Sequence, residues 1–301
     1  TSGGTVLVPI AAICENLEHK AEWMMKNIRE NEWISDGTDG GWFNGYYDNN
    51  GRPVERCESG DVRMMLTGQV FAIMSGTAKK EQIKAICNSA DKYLFDQNAG
   101  GYRLNTDFKE EKFDLGRMFG FAYGEKENGA VFSHMAVMYA NALYSRGFAK
   151  EGNKVLQALL DAAMEFDNSK MYPGLPEYFD NQGRGLYAYL TGAASWYMLT
   201  MITEVFGVKG QLGDMVIAPA LMPEQYDQEG KASLKIEFAG RKFSIHIFNR
   251  EKKEWNKVQI KEAFCDGTLL SAEGGRQARL KRSEIEKLTL EKVHEINIIL
   301  N

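Results

Sequence analysis

Apolar residues Val8, Ala11, Ala12, Cys14, Leu17, Ala21, Met24, Met25 and Ile28 recur at broadly helical spacing, which predicts one long helix from Thr5 to about Trp33. The pattern then breaks into an aromatic, glycine-rich stretch, Gly40-Gly41-Trp42-Phe43-Asn44-Gly45-Tyr46-Tyr47-Asp48-Asn49-Asn50-Gly51. This stretch reads as a short hairpin or an elaborate loop, with Asn50-Gly51 as its turn. Two helix pairs follow, 61–76 with 79–95 and 131–147 with 150–165, broken at Gly76 and Gly147. Long loops flank them, one carrying Gly100-Gly101 and Gly116, another running from Met171 to Leu186 with three glycines and two prolines. A last helix is predicted over 189–206, stopping at Gly207.

The pairs repeat no short motif, which argues against a solenoid. They do repeat a plan: an apolar helix rich in small residues and Met, a tight turn, a more charged helix, then a long loop. An inner helix buried on most sides and an outer helix with one wet face give that alternation. It predicts a mainly α architecture, a toroid of α/α hairpins over residues 1–211 with functional loops gathered at one end. Beyond Gly207 the period becomes two. Leu234-Lys235-Ile236-Glu237-Phe238 alternates, Ala239-Gly240 turns, and Phe243, Ile245 and Ile247 alternate again. Shorter β signals continue at 255–260, 267–271 and 294–300, while 281–290 is ambiguous, so residues 212–301 read as a small β-sheet domain. His246 and His294 sit within its strands and read as structural or solvent-facing.

Composition narrows this little: 44% apolar and 26% charged residues are ordinary for a globular chain. A net charge of −5 and a pI near 5.6 argue against a nucleic-acid partner. No run of about 18 apolar residues occurs, so no membrane span is expected. Cys14, Cys57, Cys87 and Cys265 are scattered without metal-ligand spacing, which reads as free thiols in a cytoplasmic protein with no metal. The chain opens at Thr1-Ser2-Gly3-Gly4 and enters a helix almost at once, which suggests a piece of something longer.

The candidate chemistry lies in the loops. Lys126-Glu127-Asn128-Gly129-Ala130-Val131-Phe132-Ser133-His134 sets a carboxylate, an amide and one of only four histidines where a loop gives way to an apolar helix. There His134 can join the free N–H groups of the helix start in holding an anion, or be a satisfied core histidine. Asp48 lies among aromatics that suit sugar rings and that would desolvate its carboxyl, raising its pKa toward that of a proton donor; its plain alternative is an Asp-Asn-Asn-Gly turn. Thr191-Gly192-Ala193-Ala194 opens a helix with a hydroxyl and a close-approach glycine, a small phosphate cradle or simple helix packing. Glu127 and Glu177 could bind sugar hydroxyls or be solvated. Gln69, inside an apolar helix, needs a partner that is either ligand or backbone. Met64, Met65, Met135 and Met138 read as core filler.

Taken in order, Trp42…Tyr47-Asp48, Gln69, Glu127-Asn128-Gly129…Phe132-Ser133-His134 and Tyr189-Leu190-Thr191-Gly192-Ala193-Ala194-Ser195-Trp196 resemble the glycoside phosphorylases of family 94, over roughly residues 1–250. The resemblance implies an (α/α)6 barrel preceded by a β-sandwich and followed by a small β domain. It implies Asp48 as general acid, and His134, Thr191 and Gly192 as holders of inorganic phosphate. Glu127, with Gln69, would touch sugar, and Trp42 would form a wall or support the loop; Glu177 joins them as a candidate sugar contact from the residue reading alone. The implied reaction is inverting phosphorolysis of β-linked gluco-oligosaccharides to an α-sugar 1-phosphate. The partners are then oligosaccharide and phosphate, the latter a co-substrate in place of any cofactor. An inverting hydrolase needs a second carboxylate about 6.5–9.5 Å from the acid to activate water; phosphate, already a nucleophile, needs a cradle instead.

The family's barrel has six hairpins and about three to four are legible here, so an open apolar seam and an incomplete site are expected. The missing N-terminal part of the enzyme would be a partner in the site, and a homodimer is compatible with this reading. Ala130-Val131 and Ser133 depart from commoner residues around the histidine, which bears on substrate preference. The loop Tyr172-Pro173-Gly174-Leu175-Pro176-Glu177-Tyr178 with Gly183-Arg184-Gly185 leans toward an oligosaccharide-active member. Two rivals stand beside this: an inverting hydrolase with Glu127 or Glu177 as base, and a carbohydrate-binding remnant that turns nothing over.

Overall fold

The computed structural model describes residues 3–58, 60–172, 174–189 and 191–301; Thr1 and Ser2 of the opening, Pro173 of the proline loop and Leu190 of the last motif lie outside them. The chain divides into two compact units, Thr1–Gln97 with Tyr102–Val131 and Asn98–Gly101 with Phe132–Asn301. Its elements mix helix and sheet.

In the first unit, helix α1 spans Ile10–Asn31 and buries none of its residues. Pro9, which has no N–H to give, sets its start. Trp33 is not in the helix: it opens β1 (Trp33–Ser35), paired antiparallel with β2 (Gly41–Phe43), and its ring meets Phe43 edge-on at 4.8 Å. Tertiary pairing has overridden the helical spacing there. The Asn50-Gly51 turn forms where the sequence places it: Asp48 N–H donates to Arg52 O at 2.9 Å, and Gly51 takes φ +72°. The expected helix from residue 61 begins later, because β3 (Arg56–Glu58) and β4 (Asp61–Arg63) pair as a hairpin. Asp61 bridges Arg56 and Arg63 across it. Helix α2 (Leu66–Met74), closed by Gly76 at φ +84°, and α3 (Lys80–Tyr93) then form the expected pair. Two-residue strands β5 to β7 lie at Phe95–Asp96, Gly101–Tyr102 and Val131–Phe132.

In the second unit, α4 (Ser133–Ser145) and α5 (Ala149–Met164) turn at Gly147, φ +77°, as the sequence predicts. Ala136, Val137, Ala140 and Leu143 of α4 pack in a core with Val155, Leu156 and Leu159 of α5. The short α6 (Phe166–Ser169) follows, and the proline loop then carries a small hairpin, β8 (Tyr178–Phe179) with β9 (Gly185–Leu186). Helix α7 (Gly192–Thr200) starts three residues later than expected and continues as a π turn, Met201–Val205.

The sheets begin just past Gly207. One has the order β10 (Val208–Gln211), β11 (Asp214–Ile217), β17 (Gln277–Leu280), β16 (Ser271–Glu273). The other runs β12 (Lys231–Phe238), β13 (Arg241–Phe248), β18 (Val293–Leu300), β14 (Ile260–Cys265), β15 (Thr268–Leu269), with β13 and β18 parallel. The ambiguous 281–290 stretch holds a single short helix, α8 (Arg282–Ile285). Both strand histidines are structural. His294 is buried between Asp266 Oδ2 (2.7 Å) and Thr289 O (2.9 Å), and His246 lies among Ser233, Ser244 and Glu295.

Candidate functional site

Among the described residues, three buried side-chain polar atoms have no hydrogen-bond partner: Glu127 Oε2, Ser133 Oγ and His134 Nε2. All fall in the single loop-to-helix block that the sequence singles out. An unpaired buried polar group costs about 1–3 kcal/mol, so each of these atoms calls for a role other than stability.

In the first unit the Asp48 loop is held from beneath. Glu55, 1% exposed, accepts the N–H of Gly45 (3.0 Å) through one oxygen and that of Met65 (3.0 Å) through the other. Burial pushes its carboxyl up to about 8, against the downward pull of those two N–H groups. Gln69, fully buried, accepts the Phe43 N–H (2.7 Å) and donates to Phe43 O (2.8 Å) and Met65 O (3.0 Å). Of its two open readings the backbone is the one observed, and Gln69 is a strut under β2. Trp42 is likewise fully buried, donating Nε1–H to Arg63 O at 3.1 Å, and so supports the loop. Sequence reasoning missed Glu55, whose neighbours give no periodic signal; only the fold shows that it clasps both ends of the loop.

Asp48 departs from expectation. Its Oδ1 accepts the N–H of Asn50 (2.8 Å) and Arg52 (2.9 Å), and its Oδ2 pairs with Arg52 Nε at 3.2 Å. The Arg52 N–H first, then the Asn50 N–H and the Arg52 charge, hold the carboxyl below the usual carboxylate range, the reverse of the rise expected from aromatic walls. Tyr46 and Tyr47 do not enclose it. Their hydroxyls donate to Leu115 O (3.2 Å) and to Glu32 (2.7 Å), and both rings are over two-fifths exposed.

Glu127 sits on a rigid turn. Gly129, at φ +75°, has its N–H on Asn105 Oδ1 (2.8 Å) and its carbonyl on Arg103 (2.6 Å), while the Asn128 amide donates to Phe121 O (2.8 Å). Asn128 therefore shapes the loop. Glu127 Oε1 faces Arg117 at 3.6 Å and leaves Oε2 unspent.

In the second unit two helix starts meet. His134, second residue of α4, lies against Gly192, first residue of α7: a Cβ on Gly192 would fall 2.6 Å from His134 Cε1 and 2.7 Å from Nδ1. Only glycine allows that approach. Thr191 caps α7, its hydroxyl accepting the Ala193 N–H at 3.2 Å. Glu177 O accepts the Ser133 N–H at 3.0 Å, and its side chain accepts the Tyr189 hydroxyl at 3.1 Å. Thus His134, Thr191, Gly192 and Glu177, scattered over about sixty positions, converge on the N-terminal turns of α4 and α7. Burial beside the Trp196 ring (5.7 Å) lowers the imidazole pKa, leaving His134 neutral at pH 7 with an unspent Nε2. A neutral imidazole with an unspent Nε2 thus lies where two helix starts meet, and helix N-terminal turns draw anions. No group of His, Cys, Asp and Glu among the described residues could hold a metal ion.

Comparison with known proteins agrees with these motifs. The family model described as the glycosyl hydrolase 94 superfamily, catalytic domain, matches residues 11–207. A solabiose phosphorylase from Paenibacillus borealis is 25% identical over 79% of this chain and 31% of its own length. A cellobionic acid phosphorylase from Neurospora crassa is 27% identical over 76% of this chain and 29% of its own. The chain thus spans about a third of the length of these relatives. Among solved structures, a sialidase aligns with 90% of this chain and 24% of its own at a TM-score of 0.54 and 12% identity, a likeness of fold alone.

Proposed function

The chain belongs to the glycosyl hydrolase 94 superfamily, and from that membership we propose that it supplies the phosphate-binding and acid-bearing portions of an inverting glycoside phosphorylase acting on β-linked gluco-oligosaccharides. The observation that carries this is the meeting of the α4 and α7 starts, with His134 Nε2 unspent and Gly192 clearing space for the ring. In this reading His134, Thr191 and the N–H groups following Gly192 orient phosphate for attack on the anomeric carbon, and Asp48 protonates the departing glycosidic oxygen. Glu127 Oε2 and Glu177 take sugar hydroxyls. The helical portion would complete an (α/α)6 barrel with the remaining length that the relatives possess.

Asp48 must then gain a proton that its resting contacts deny it. Substrate that draws Arg52 and the turn N–H groups away would raise its pKa in the working complex. The test is product analysis with the protein that carries this chain, given β-linked glucose oligosaccharides with and without inorganic phosphate. α-Sugar 1-phosphate should appear only with phosphate, and Asp48→Asn should abolish it. Turnover in phosphate-free buffer would instead favour the hydrolase.

A further inference from the structure

The loop from Glu177 to Thr191 begins at the start of α4 and ends at the start of α7, and it carries more than the cradle requires. Tyr187 adopts φ +63°, a left-handed backbone that is costly for a bulky side chain. The chain places glycine at most of its positive-φ positions, and Tyr187 is the only aromatic residue so held among those described. Its ring is 43% exposed and packs at 6.0 Å from Tyr178 and at 5.8 Å, edge-on, from Tyr189. Tyr189 is itself 57% exposed, and its hydroxyl is fixed on Glu177 Oε2 at 3.1 Å. Tyr178 is anchored in turn by a parallel stack on Phe132, 6.5 Å away. Two wet tyrosine rings at right angles beside a half-buried carboxylate are thus braced by the buried Tyr178.

We propose, resting on the phosphorylase reading above, that Tyr187 with Tyr189 and Glu177 forms a stacking subsite for a pyranose ring of the oligosaccharide and decides which sugar is accepted. The C–H face of a glucopyranose lies on an aromatic ring, and its hydroxyls are taken by a carboxylate that a neighbouring phenol has already oriented. The left-handed backbone at Tyr187 goes with a ring that stays 43% exposed. A platform sprung from both helix starts presents its sugar to the phosphate that those starts hold.

The experiment uses the full chain as wild type, Tyr187→Ala, Tyr187→Gly and Tyr187→Phe. Each is titrated separately with β-1,2-, β-1,3- and β-1,4-linked glucose trisaccharides and with inorganic phosphate, by calorimetry or NMR. The alanine and glycine variants should bind the preferred trisaccharide about tenfold more weakly, a loss the size of a ring stack. Tyr187→Phe should bind it as the wild type does, and phosphate affinity should be unchanged throughout. Tyr187→Gly, which relieves the strain, should melt no lower than wild type. Unchanged trisaccharide affinity in Tyr187→Ala overturns the proposal, as does absence of trisaccharide binding by the wild type. A matched loss of phosphate affinity, or a lower melting temperature for Tyr187→Gly, also overturns it by making the ring part of the cradle or of the core. The phosphorylase reading fails differently: turnover would proceed without phosphate while trisaccharide binding still followed Tyr187.

Discussion

His134 is the residue whose chemistry the surroundings define most closely. Burial lowers its pKa below the ordinary 6.5. Its contribution to folding is therefore present above the unfolded-state pKa and is lost as pH falls through the folded one, when the unfolded chain takes up the proton more readily. An anion on Nε2 reverses the balance, since it favours imidazolium, so binding a dianion near pH 6.5 should draw a proton onto the protein. Sulfate does not titrate in this range and is the probe of choice. Calorimetry in two buffers of different ionisation enthalpy should show proton uptake by the wild type and almost none by His134→Gln. Equal uptake in both would place the anion elsewhere. Asp48 and His134 were legible as chemistry only through the order of motifs around them, because alone each has a plain structural reading. For Asp48 the local turn is in fact what the structure displays, since a carboxylate two and four residues ahead of free N–H groups captures them. Glu55 and the strain at Tyr187 were not legible at all. Burial beneath a loop and a positive φ on tyrosine arise from the fold around them, and no spacing encodes either.

At the scale of elements, what periodicity could see it placed well. The α2–α3 and α4–α5 pairs and the β12–β13 hairpin stand where apolar spacing and Gly76, Gly147 and Ala239-Gly240 put them. Several misses share one cause: strands of three or four residues such as β1, β3 and β10 are too short to show a period and exist through their partners. The junction of α4 and α7 is likewise a product of partners, and it gives a direct test. Gly192 has no positive φ, so alanine suits its backbone, and helix propensity favours the change. The penalty is the collision with the imidazole 2.6 Å away. Gly192→Ala should therefore cost about 1–3 kcal/mol in a denaturant melt, the usual range for overpacking. It should also weaken phosphate binding about tenfold or more as the ring is displaced. Unchanged phosphate affinity with an unchanged melt would show that His134 is not pinned by this contact.

For the whole molecule the telling element is α1, twenty-two residues long with none buried. Ile10, Ile13, Leu17 and Met24 fall on one face at helical spacing and are 45–80% exposed, and Trp23 beside them is 63% exposed. Apolar stripes left in water favour association. Curated relatives carry roughly twice as much further chain as this one spans, enough to cover such a stripe. Within its own unit α1 is tied mainly at its end, where Arg29 donates to Thr77 O (2.6 Å) and Gly76 O (3.0 Å). Its apolar face therefore contributes little to the stability of the isolated chain. Leu17→Glu should leave the melting temperature of the isolated chain unchanged, because no packed neighbour is lost. The same change should lower its self-association in sedimentation velocity over a concentration series. A substantial drop in melting temperature would mean that Leu17 already packs within the chain, and the stripe would then need no partner.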